Sequence, residues 1–471
     1  MPITADQLNQ LRGIVGPAGY LDQPADIEPY TVDHRHLYHG ATPLVLRPEN
    51  TEEVATILRL CNESGIGVVP VGGNTSYCGG ATPSEDGSQI VLSLSRMRRI
   101  RSVDPLNYTM IAEAGCVLAQ VQTAAAEVDR LFPLSLGSEG SCQLGGNLST
   151  NAGGTAVLRY GMMRDLILGL EVVLPDGRVL NGLSALRKDN TGYDLRDLFI
   201  GAEGTLGIIT AAACKLYSRP ESMVTALIAI AEPEAAVSLL SRLRAASSDA
   251  VSTFELIPQA ALQMVLKHVS QTQDPFDRPY NWYVLLEIGS GRHNTGLREG
   301  IEEELGAAMD TGEVLNAVLA ESEAQRAMFW RLRETIPEAQ RREGASIKHD
   351  ISVTTSELPR FIVEACAAVH QISPAGRIVS YGHLGDGNLH FNVSQPIDAA
   401  AAEFEALAPR INRAVHDLVA RYDGSISAEH GIGRLKRGEL QRYKSPVALD
   451  LMRSIKHAID PKGIMNPGKV L

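Results

Sequence analysis

The sequence predicts an α+β protein with two unlike parts, and three observations carry this prediction. Helical and strand-like patterns alternate through residues 50–112. Three glycine-rich blocks lie within the first 219 residues. After Arg219-Pro220 the chain continues as a mixture of strands and helices, which indicates a second domain containing an antiparallel hairpin near its end.

Local patterns predict the secondary structure of both parts. Asn50, followed by Glu53, fits the capping box of a helix that begins there. Strand-like runs lie at 67–71, 90–94, 108–112, 166–173, 198–210, 226–230 and 283–288. Helical patterns lie at 117–128, 232–246, 297–309 and 320–343, and from 448 to a stop at Asp460-Pro461. Residues 137–161 show almost no periodicity, so we expect a long functional loop there.

The composition excludes several classes of protein. The 471 residues carry a net charge of −12, which disfavours nucleic-acid binding because that binding needs cationic side chains. No apolar run approaches the length of a membrane span, and the N-terminal segment lacks the core of a signal peptide. The six cysteines are scattered without a CxxC pair, which favours a reduced compartment. We therefore expect a cytoplasmic protein without a membrane anchor.

The glycine-rich blocks suggest a phosphate-bearing ligand. Residues 70–80 (Pro-Val-Gly-Gly-Asn-Thr-Ser-Tyr-Cys-Gly-Gly) directly follow a predicted strand. Glycine pairs allow successive N–H groups to face one anion, although a simple hairpin turn explains this loop equally well by itself. Neither GxGxxG nor GxxxxGK[ST] occurs. The further blocks at 137–154 and 201–210 favour a long ligand that lies across several loops.

These three blocks, in this order, resemble the FAD domain of the vanillyl-alcohol oxidase superfamily, and within it the D-2-hydroxy acid dehydrogenase family. The likeness runs from about Tyr30 to Leu471. It implies an FAD-binding domain at 1–219, a substrate (cap) domain at 220–425, and a C-terminal segment at 426–471 that completes the active site and covers the flavin. The first loop has no histidine, so non-covalent FAD is expected.

The resemblance also implies which residues bind FAD, with Asn466 closing over the isoalloxazine ring. The expected residues are Pro70, Gly72, Gly73, Asn74, Thr75, Ser76, Gly79, Gly80, Pro133, Gly137, Ser138, Ser141, Gly145, Gly146, Thr150, Asn151, Gly153, Gly154, Tyr160, Gly161, Glu203, Gly204, Gly207, Ile208, Ile209 and Asn466.

A pair of histidines suggests a metal site in the second part. Asp386-Gly387 predicts a two-residue hairpin turn, whose register would place His383 directly opposite His390. Two imidazoles in this position can share an ion, although hydrogen-bonded histidines in a sheet are the alternative. Glu429 is a candidate third ligand, because a His₂Glu set leaves one position open, as in catalytic zinc sites. The resemblance implies zinc on this set.

The candidate chemistry is the oxidation of a 2-hydroxy acid. Zinc would lower the pKa of the substrate hydroxyl, and His430 would take its proton. The Cα hydrogen would leave as a hydride to the flavin, with a carbanion route as the alternative. The resemblance implies Arg333 and Lys348 as substrate-binding residues, and Pro337 stands where hydroxyglutarate-type relatives can place a threonine. Asn392 is a third candidate, because strand alternation places it on the same face as His390.

The expected substrate is D-2-hydroxyglutarate, oxidised to 2-oxoglutarate, with D-malate, D-lactate and glycolate as alternatives. A soluble acceptor such as an electron-transfer flavoprotein is expected to receive the electrons, and a homodimer is the expected assembly. Two other classes remain open: a non-catalytic flavin- or metal-binding module, and a metal-dependent hydrolase without flavin.

Overall fold

The computed structural model describes residues 3–291 and 296–471 and contains the α+β mixture predicted from the sequence. The strands are β1 (Tyr20–Leu21), β2 (Val45–Leu46), β3 (Gly67–Val71), β4 (Gln89–Ser93), β5 (Ile100–Asp104), β6 (Thr109–Glu113), β7 (Arg130–Leu131), β8 (Ile167–Val173), β9 (Val179–Gly182), β10 (Ile208–Lys215), β11 (Tyr217–Ser218), β12 (Ser222–Ile230), β13 (Val251–Pro258), β14 (Trp282–Ser290), β15 (Val314–Leu319), β16 (Ser346–Ile347), β17 (Asp350–Ser352), β18 (Arg377–His383) and β19 (Asn388–Ser394).

The helices are α1 (Ala5–Val15), α2 (Pro24–Ile27), α3 (Thr51–Ser64), α4 (Leu118–Ala126), α5 (Leu144–Ser149), α6 (Val157–Tyr160), α7 (Arg196–Phe199), α8 (Pro233–Ser247), α9 (Gln259–His268), α10 (Leu297–Asp310), α11 (Glu323–Glu334), α12 (Ile336–Arg342), α13 (Leu358–His370), α14 (Ala401–Glu405), α15 (Ala408–Arg421), α16 (Arg437–Tyr443) and α17 (Pro446–Ile459). Among the described residues, no helix combines the length and apolarity needed to cross a bilayer.

The chain forms two compact units, and the first is assembled from three separate stretches, 3–154, 161–219 and 429–471. It contains a four-stranded sheet in the order β1-β2-β4-β3 and a five-stranded antiparallel sheet in the order β5-β6-β10-β8-β9. In the smaller sheet β2, β4 and β3 are parallel. The functional division at 219 and 425 stays a prediction.

The helix predicted after Asn50 is confirmed as α3. The side chain of Asn50 accepts a hydrogen bond from the Glu53 amide at 2.9 Å, which satisfies one of the N–H groups left over at a helix start. The helix ends at Gly65, whose φ of 67° suits a residue without a Cβ. Its buried face, Val54, Ile57, Leu58 and Cys61, packs into the core of the first unit.

Two expectations for the glycine-rich segments are wrong. The segment 137–161 contains the short helices α5 and α6 rather than a loop throughout. In α5 the buried Leu144, Asn147 and Leu148 recur at helical spacing, and this packing outweighs the low helix propensity of the glycines. The strand expected at 198–210 begins only at Ile208, because Gly201, Glu203 and Gly204 adopt positive φ angles that a strand cannot contain.

Residues beyond α17 extend the smaller sheet of the first unit. The Val68 amide donates to the Ile464 carbonyl, and the Asn466 amide donates to the Val68 carbonyl, both at 2.8 Å. The Lys456 ammonium holds this segment by donating to the carbonyls of Thr205 and Met465 at 2.7 and 2.9 Å. The position of Asn466 is therefore set by pairing with β3.

The second unit comprises 155–160 and 220–428, apart from 292–295, and is built on one antiparallel sheet. Its order is β15-β12-β14-β13-β18-β19-β16, and β17 also pairs with β19. Helices α9, α11 and α12 supply Leu262, Phe329 and Ile336 to a core that also contains Val379 and Tyr381 of β18. This sheet carries His383 at the end of β18 and His390 within β19.

The predicted register of the histidine hairpin is wrong by two residues. Tyr381, not His383, pairs with His390, and the connection is a 3-10 turn at Leu384–Asp386 followed by Gly387. Only Gly387 of the predicted turn pair has a positive φ, 81°, so a two-residue turn with two positive φ angles does not form. A shift of two residues leaves every side chain on its original face, so the histidines still share one face.

Glu343, just after α12, is the centre of a partly buried ionic cluster in the second unit. Its carboxylate accepts hydrogen bonds from Lys267 and His268 of α9 at 2.7 and 2.5 Å and from Arg377 of β18 at 2.5 Å. Hydrogen bonds from Lys267, His268 and Arg377 lower the pKa of Glu343 from 4.5 to about 2. This one side chain therefore ties α9, α12 and β18 together.

Replacing this carboxylate should destabilise the fold in a pH-dependent way. We expect Glu343→Gln to lower the free energy of unfolding at pH 7 by about 1–3 kcal/mol. Because the pKa is lowered by folding, the stabilisation is complete above about pH 4.5 and is lost as the pH falls towards 2. Urea unfolding at several pH values measures the difference. Glu338→Gln, which removes an exposed pair with Arg342, is the control, and equal effects of the two substitutions would contradict the expectation.

Candidate active site

The first glycine-rich loop closely approaches the second. A Cβ on Gly73 would overlap the carbonyl oxygen of Ser141 and would lie 2.9 Å from the Cα atom of Cys142. Asn74 has a φ of 51°, and its side-chain amide donates to the carbonyl oxygens of Pro29 and Val32 at 3.2 and 2.8 Å. The loop after β3 is thus held between residues 29–32 and 141–142 by contacts that allow no side chain at Gly73.

Asn466 joins the cofactor loops predicted from the sequence. Its side-chain amide donates to the carbonyl oxygens of Gly80 and Glu203, at 3.0 and 2.8 Å. Its Oδ1 atom is buried and accepts no hydrogen bond from the described residues, and the same is true of Asn147 Oδ1 and Gln143 Oε1. Buried polar atoms normally have partners, so these three acceptors fit a polar ligand such as FAD.

Glu203 holds the backbone that follows the candidate base. Its two carboxylate oxygens accept from the amides of Ile432 and Gly433 at 2.7 and 2.8 Å. Burial raises the pKa of Glu203, although these two N–H groups act in the opposite direction. The structure therefore gives this residue, which was assigned to FAD from the sequence, a clear contact with residues 432–433.

The two polar residues that open this segment are oriented within the first unit. The carboxylate of Glu429 accepts a hydrogen bond from the Gly154 amide at 2.7 Å. The ring of His430 lies against Tyr77 of the first glycine-rich loop, with ring centroids 4.7 Å apart. His430 is thus positioned beside the loop predicted to hold the cofactor.

The second unit brings the two predicted histidine ligands together. The rings of His383 and His390 lie 5.5 Å apart between centroids. His383 Nδ1 lies 2.5 Å from Glu255 Oε1, on the neighbouring strand β13. A metal-ligating imidazole commonly donates its other N–H to a carboxylate, so this contact fits the ligand role proposed for His383.

Arg333, the predicted carboxylate anchor, belongs to the same cluster. Its Nε donates to Glu255 Oε2 at 2.6 Å, and its guanidinium lies 4.9 Å from the centroid of the Tyr381 ring. Burial by itself would raise the pKa of Glu255, but attraction to Arg333 and His383 outweighs it and lowers that pKa to about 2. Glu255 is therefore an ionised carboxylate in the core.

The remaining predicted substrate residues have different surroundings. Asn392 is buried, and its amide donates to Gln340 Oε1 at 2.9 Å. Lys348 is exposed in the short link between β16 and β17. Asp350 pairs with His390 across β17 and β19, with Oδ1 and Nδ1 3.9 Å apart. Among the predicted FAD residues, Tyr160 lies in the second unit and all others lie in the first.

Glu255 and Asp350 contact the predicted histidines but were not predicted from the sequence. A signal for Glu255 was present, because it is a lone carboxylate in the apolar run Phe254–Ile257, and a charge in a buried strand needs a partner. Asp350 lies two residues after Lys348, and in that segment only the lysine was given a role from the sequence. Tyr381 was missed because the predicted hairpin register left it without a role.

Comparison with known proteins agrees with this architecture. The model of the family "FAD linked oxidases, C-terminal domain" matches residues 219–470, and that of "FAD binding domain" matches residues 42–182. The mitochondrial D-2-hydroxyglutarate dehydrogenase of Bos taurus is 39% identical, with 100% of this chain and 84% of that protein covered. The mitochondrial D-2-hydroxyglutarate dehydrogenase of Arabidopsis thaliana is 37% identical, covering 100% and 82%. Substrate-bound p-cresol methylhydroxylase superposes with a TM-score of 0.77 at 16% identity, covering 100% and 98%.

These matches define a flavoprotein oxidoreductase with the fold of the vanillyl-alcohol oxidase superfamily. The chain belongs to the FAD-dependent D-2-hydroxy acid dehydrogenase family, as the resemblance of its glycine-rich blocks predicted. The cytoplasmic location predicted from the sequence is contradicted, because the relatives from Bos taurus and Arabidopsis thaliana are named mitochondrial. The scattered cysteines on which that prediction rested do not distinguish one reducing compartment from another.

The close approach at Gly73 should be sensitive to one methyl group. We expect Gly73→Ala to lower the melting temperature and the bound FAD per chain, because its Cβ would overlap backbone atoms of Ser141. Gly140→Ala is the control, since no described residue beyond its chain neighbours has an atom within 4 Å of the added Cβ. Thermal unfolding and the visible flavin absorbance measure the two effects. Similar behaviour of both variants would contradict the described contact.

Proposed function

We propose that the protein oxidises D-2-hydroxyglutarate to 2-oxoglutarate with FAD and zinc. The full-length similarity to proteins named D-2-hydroxyglutarate dehydrogenase supports the choice of substrate. The observation that carries the proposal is the cluster in the second unit, where His383 and Arg333 contact one buried carboxylate and the His390 ring lies beside that of His383. Two metal-binding imidazoles beside a cation suit a substrate that offers both a hydroxyl and carboxylates.

Different residues of the chain would bind FAD and zinc. FAD would be held by the loops 70–80 and 137–161, residues 203–209 and Asn466. Zinc would be held by His383, His390 and Glu429; the last follows Ala428, whose amide donates to the Asp350 carbonyl at 3.3 Å. When bound, FAD supplies a two-electron acceptor and zinc supplies a Lewis acid for the substrate hydroxyl.

The remaining roles belong to side chains. His430 takes the hydroxyl proton at an imidazole nitrogen, acting as the general base. Arg333, Lys348 and Asn392 bind the substrate carboxylates. These local groups are needed because the chain as a whole carries a net charge of −12, which repels a dianionic substrate.

The electron acceptor and the assembly are further parts of the proposal. We propose a soluble acceptor such as an electron-transfer flavoprotein, and a homodimer. D-Malate, D-lactate and glycolate are the alternative substrates within the same chemistry.

Anaerobic reduction of the flavin tests the reaction. We expect D-2-hydroxyglutarate to bleach the visible flavin absorbance of the purified protein, and the L enantiomer to leave it unchanged. His430→Asn should slow bleaching by about 10²–10⁴-fold with FAD still bound, because the base is lost. Stopped-flow absorbance measures the rate. An unchanged bleaching rate in this variant would contradict the role of His430. If D-malate, D-lactate or glycolate bleached the flavin faster than D-2-hydroxyglutarate, that acid would be the better candidate for the substrate.

Metal removal tests the zinc site separately. We expect dialysis against a chelator to abolish turnover, added zinc to restore it, and His383→Ala to reduce the bound zinc, because an imidazole ligand is removed. His457→Ala, on the exposed last turn of α17, is the control. Metal analysis and turnover are measured on the same samples. Full activity after complete metal removal would overturn the zinc part of the proposal.

A further inference from the structure

Glu255 makes two short contacts from one buried carboxylate. Its side chain is 1% exposed, on a strand whose residues are all buried. Oε1 lies 2.5 Å from His383 Nδ1, and Oε2 accepts from Arg333 Nε at 2.6 Å. The two oxygens thus serve two different residues, one a candidate metal ligand and the other a candidate substrate anchor.

These contacts are part of a closed circuit of five side chains within the second unit. Glu255 contacts His383, whose ring lies beside that of His390. The His390 ring lies 5.2 Å from that of Tyr381, and the Tyr381 ring lies beneath the guanidinium of Arg333, which returns to Glu255. Moving any member displaces its two neighbours, so the positions of the imidazoles and the guanidinium are interdependent.

The contact with Glu255 also selects the tautomer of His383. A carboxylate only accepts hydrogen bonds, so Nδ1 carries a proton, and in the neutral imidazole that ligates a metal the lone pair is then on Nε2. Metal ligation requires an unprotonated nitrogen in a defined direction. Glu255 provides both conditions for Nε2 of His383 without touching a metal itself.

We propose that Glu255 is a positioning residue that orients the zinc ligand His383 and the substrate anchor Arg333 through one carboxylate. This inference rests on the proposed function. It adds that the affinity for zinc and the binding of the substrate carboxylate both depend on a residue that contacts neither. Glutamine cannot replace it. One of its two side-chain groups is an NH2 donor, which would face either His383 Nδ1–H or Arg333 Nε–H, and these are donors themselves.

The experiment compares zinc affinity in wild type, His383→Ala and Glu255→Gln. Each protein is dialysed against chelator-buffered zinc, and bound zinc is measured by mass spectrometry. We expect Glu255→Gln to weaken zinc binding about 10–100-fold while FAD stays bound. After saturation with zinc, we expect KM for the hydroxy acid to rise as well, because Arg333 has lost its fixed orientation.

Glu287→Gln is the matched control. Glu287 lies on the adjacent strand β14, is also buried, and accepts from Arg326 Nε of α11 at 2.6 Å and from Trp330 Nε1 at 2.8 Å. It repeats the ion pair between the sheet and α11, and it has no histidine partner among the residues that the structure describes. A loss of stability common to both variants therefore reports the ion pair, whereas a loss of zinc affinity in Glu255→Gln alone reports positioning.

A paired variant covers the case in which Glu255→Gln does not fold. Glu255→Leu with Arg333→Met removes both charges and leaves an apolar core, a change that proteins often tolerate. We expect this variant to fold and to bind zinc about 10–100-fold more weakly than wild type.

The outcomes separate the two proposals. Weakened zinc binding in the Glu255 variants, with Glu287→Gln like wild type, supports the inference. Wild-type zinc affinity in either folded Glu255 variant, while His383→Ala binds weakly, overturns the inference and leaves the proposed function standing. Absence of zinc binding by wild type, or unchanged binding by His383→Ala, overturns the zinc site itself and the inference with it.

Discussion

The ionised carboxylate of Glu255 is the constraint on which the candidate site depends. A charge in a protein core is tolerated only when it is paired and hydrogen-bonded. Glu255 meets this requirement with His383 from β18 and Arg333 from α11. If β18 and α11 packed so that either donor did not reach Glu255 on β13, the carboxylate charge would lose one of its partners. The need to pair the carboxylate of Glu255 thus fixes the positions of His383 and Arg333, which are distant from it in sequence.

In the first unit, buried polar side chains also hold distant segments together, but their hydrogen-bond partners are backbone groups. Glu203 accepts from two amides at 432–433, and Asn466 donates to two carbonyls in separate loops. These loops have few hydrogen bonds of regular secondary structure, so single polar side chains determine their shape. At Gly73 two loops come into backbone contact, and the absence of a side chain there allows this close approach.

Local signals allowed much of the fold to be predicted, and long-range pairing limited the rest. The cap of α3 and the shared face of His383 and His390 depend on neighbours in sequence, and both were recognised. The exact register was not, because a 3-10 turn and a two-residue turn suit Asp386-Gly387 equally well until the flanking strands are fixed. Glu255 lies 128 residues before His383, and no local pattern reports a contact at that distance. The family resemblance identified residues whose roles no spacing rule could have assigned.

The position of Asn466 affects the order in which the protein can mature during synthesis. Its partners Gly80 and Glu203 are made 386 and 263 residues earlier. The ribosome must therefore finish the whole second unit before the loops of the first acquire their last fixed contact. Until then those glycine-rich segments belong to a nascent chain whose sheet lacks the strand-like residues 464–466. In a unit built from three separated stretches, the contacts of Asn466 are consequently formed late and cannot belong to a nucleus that folds during synthesis.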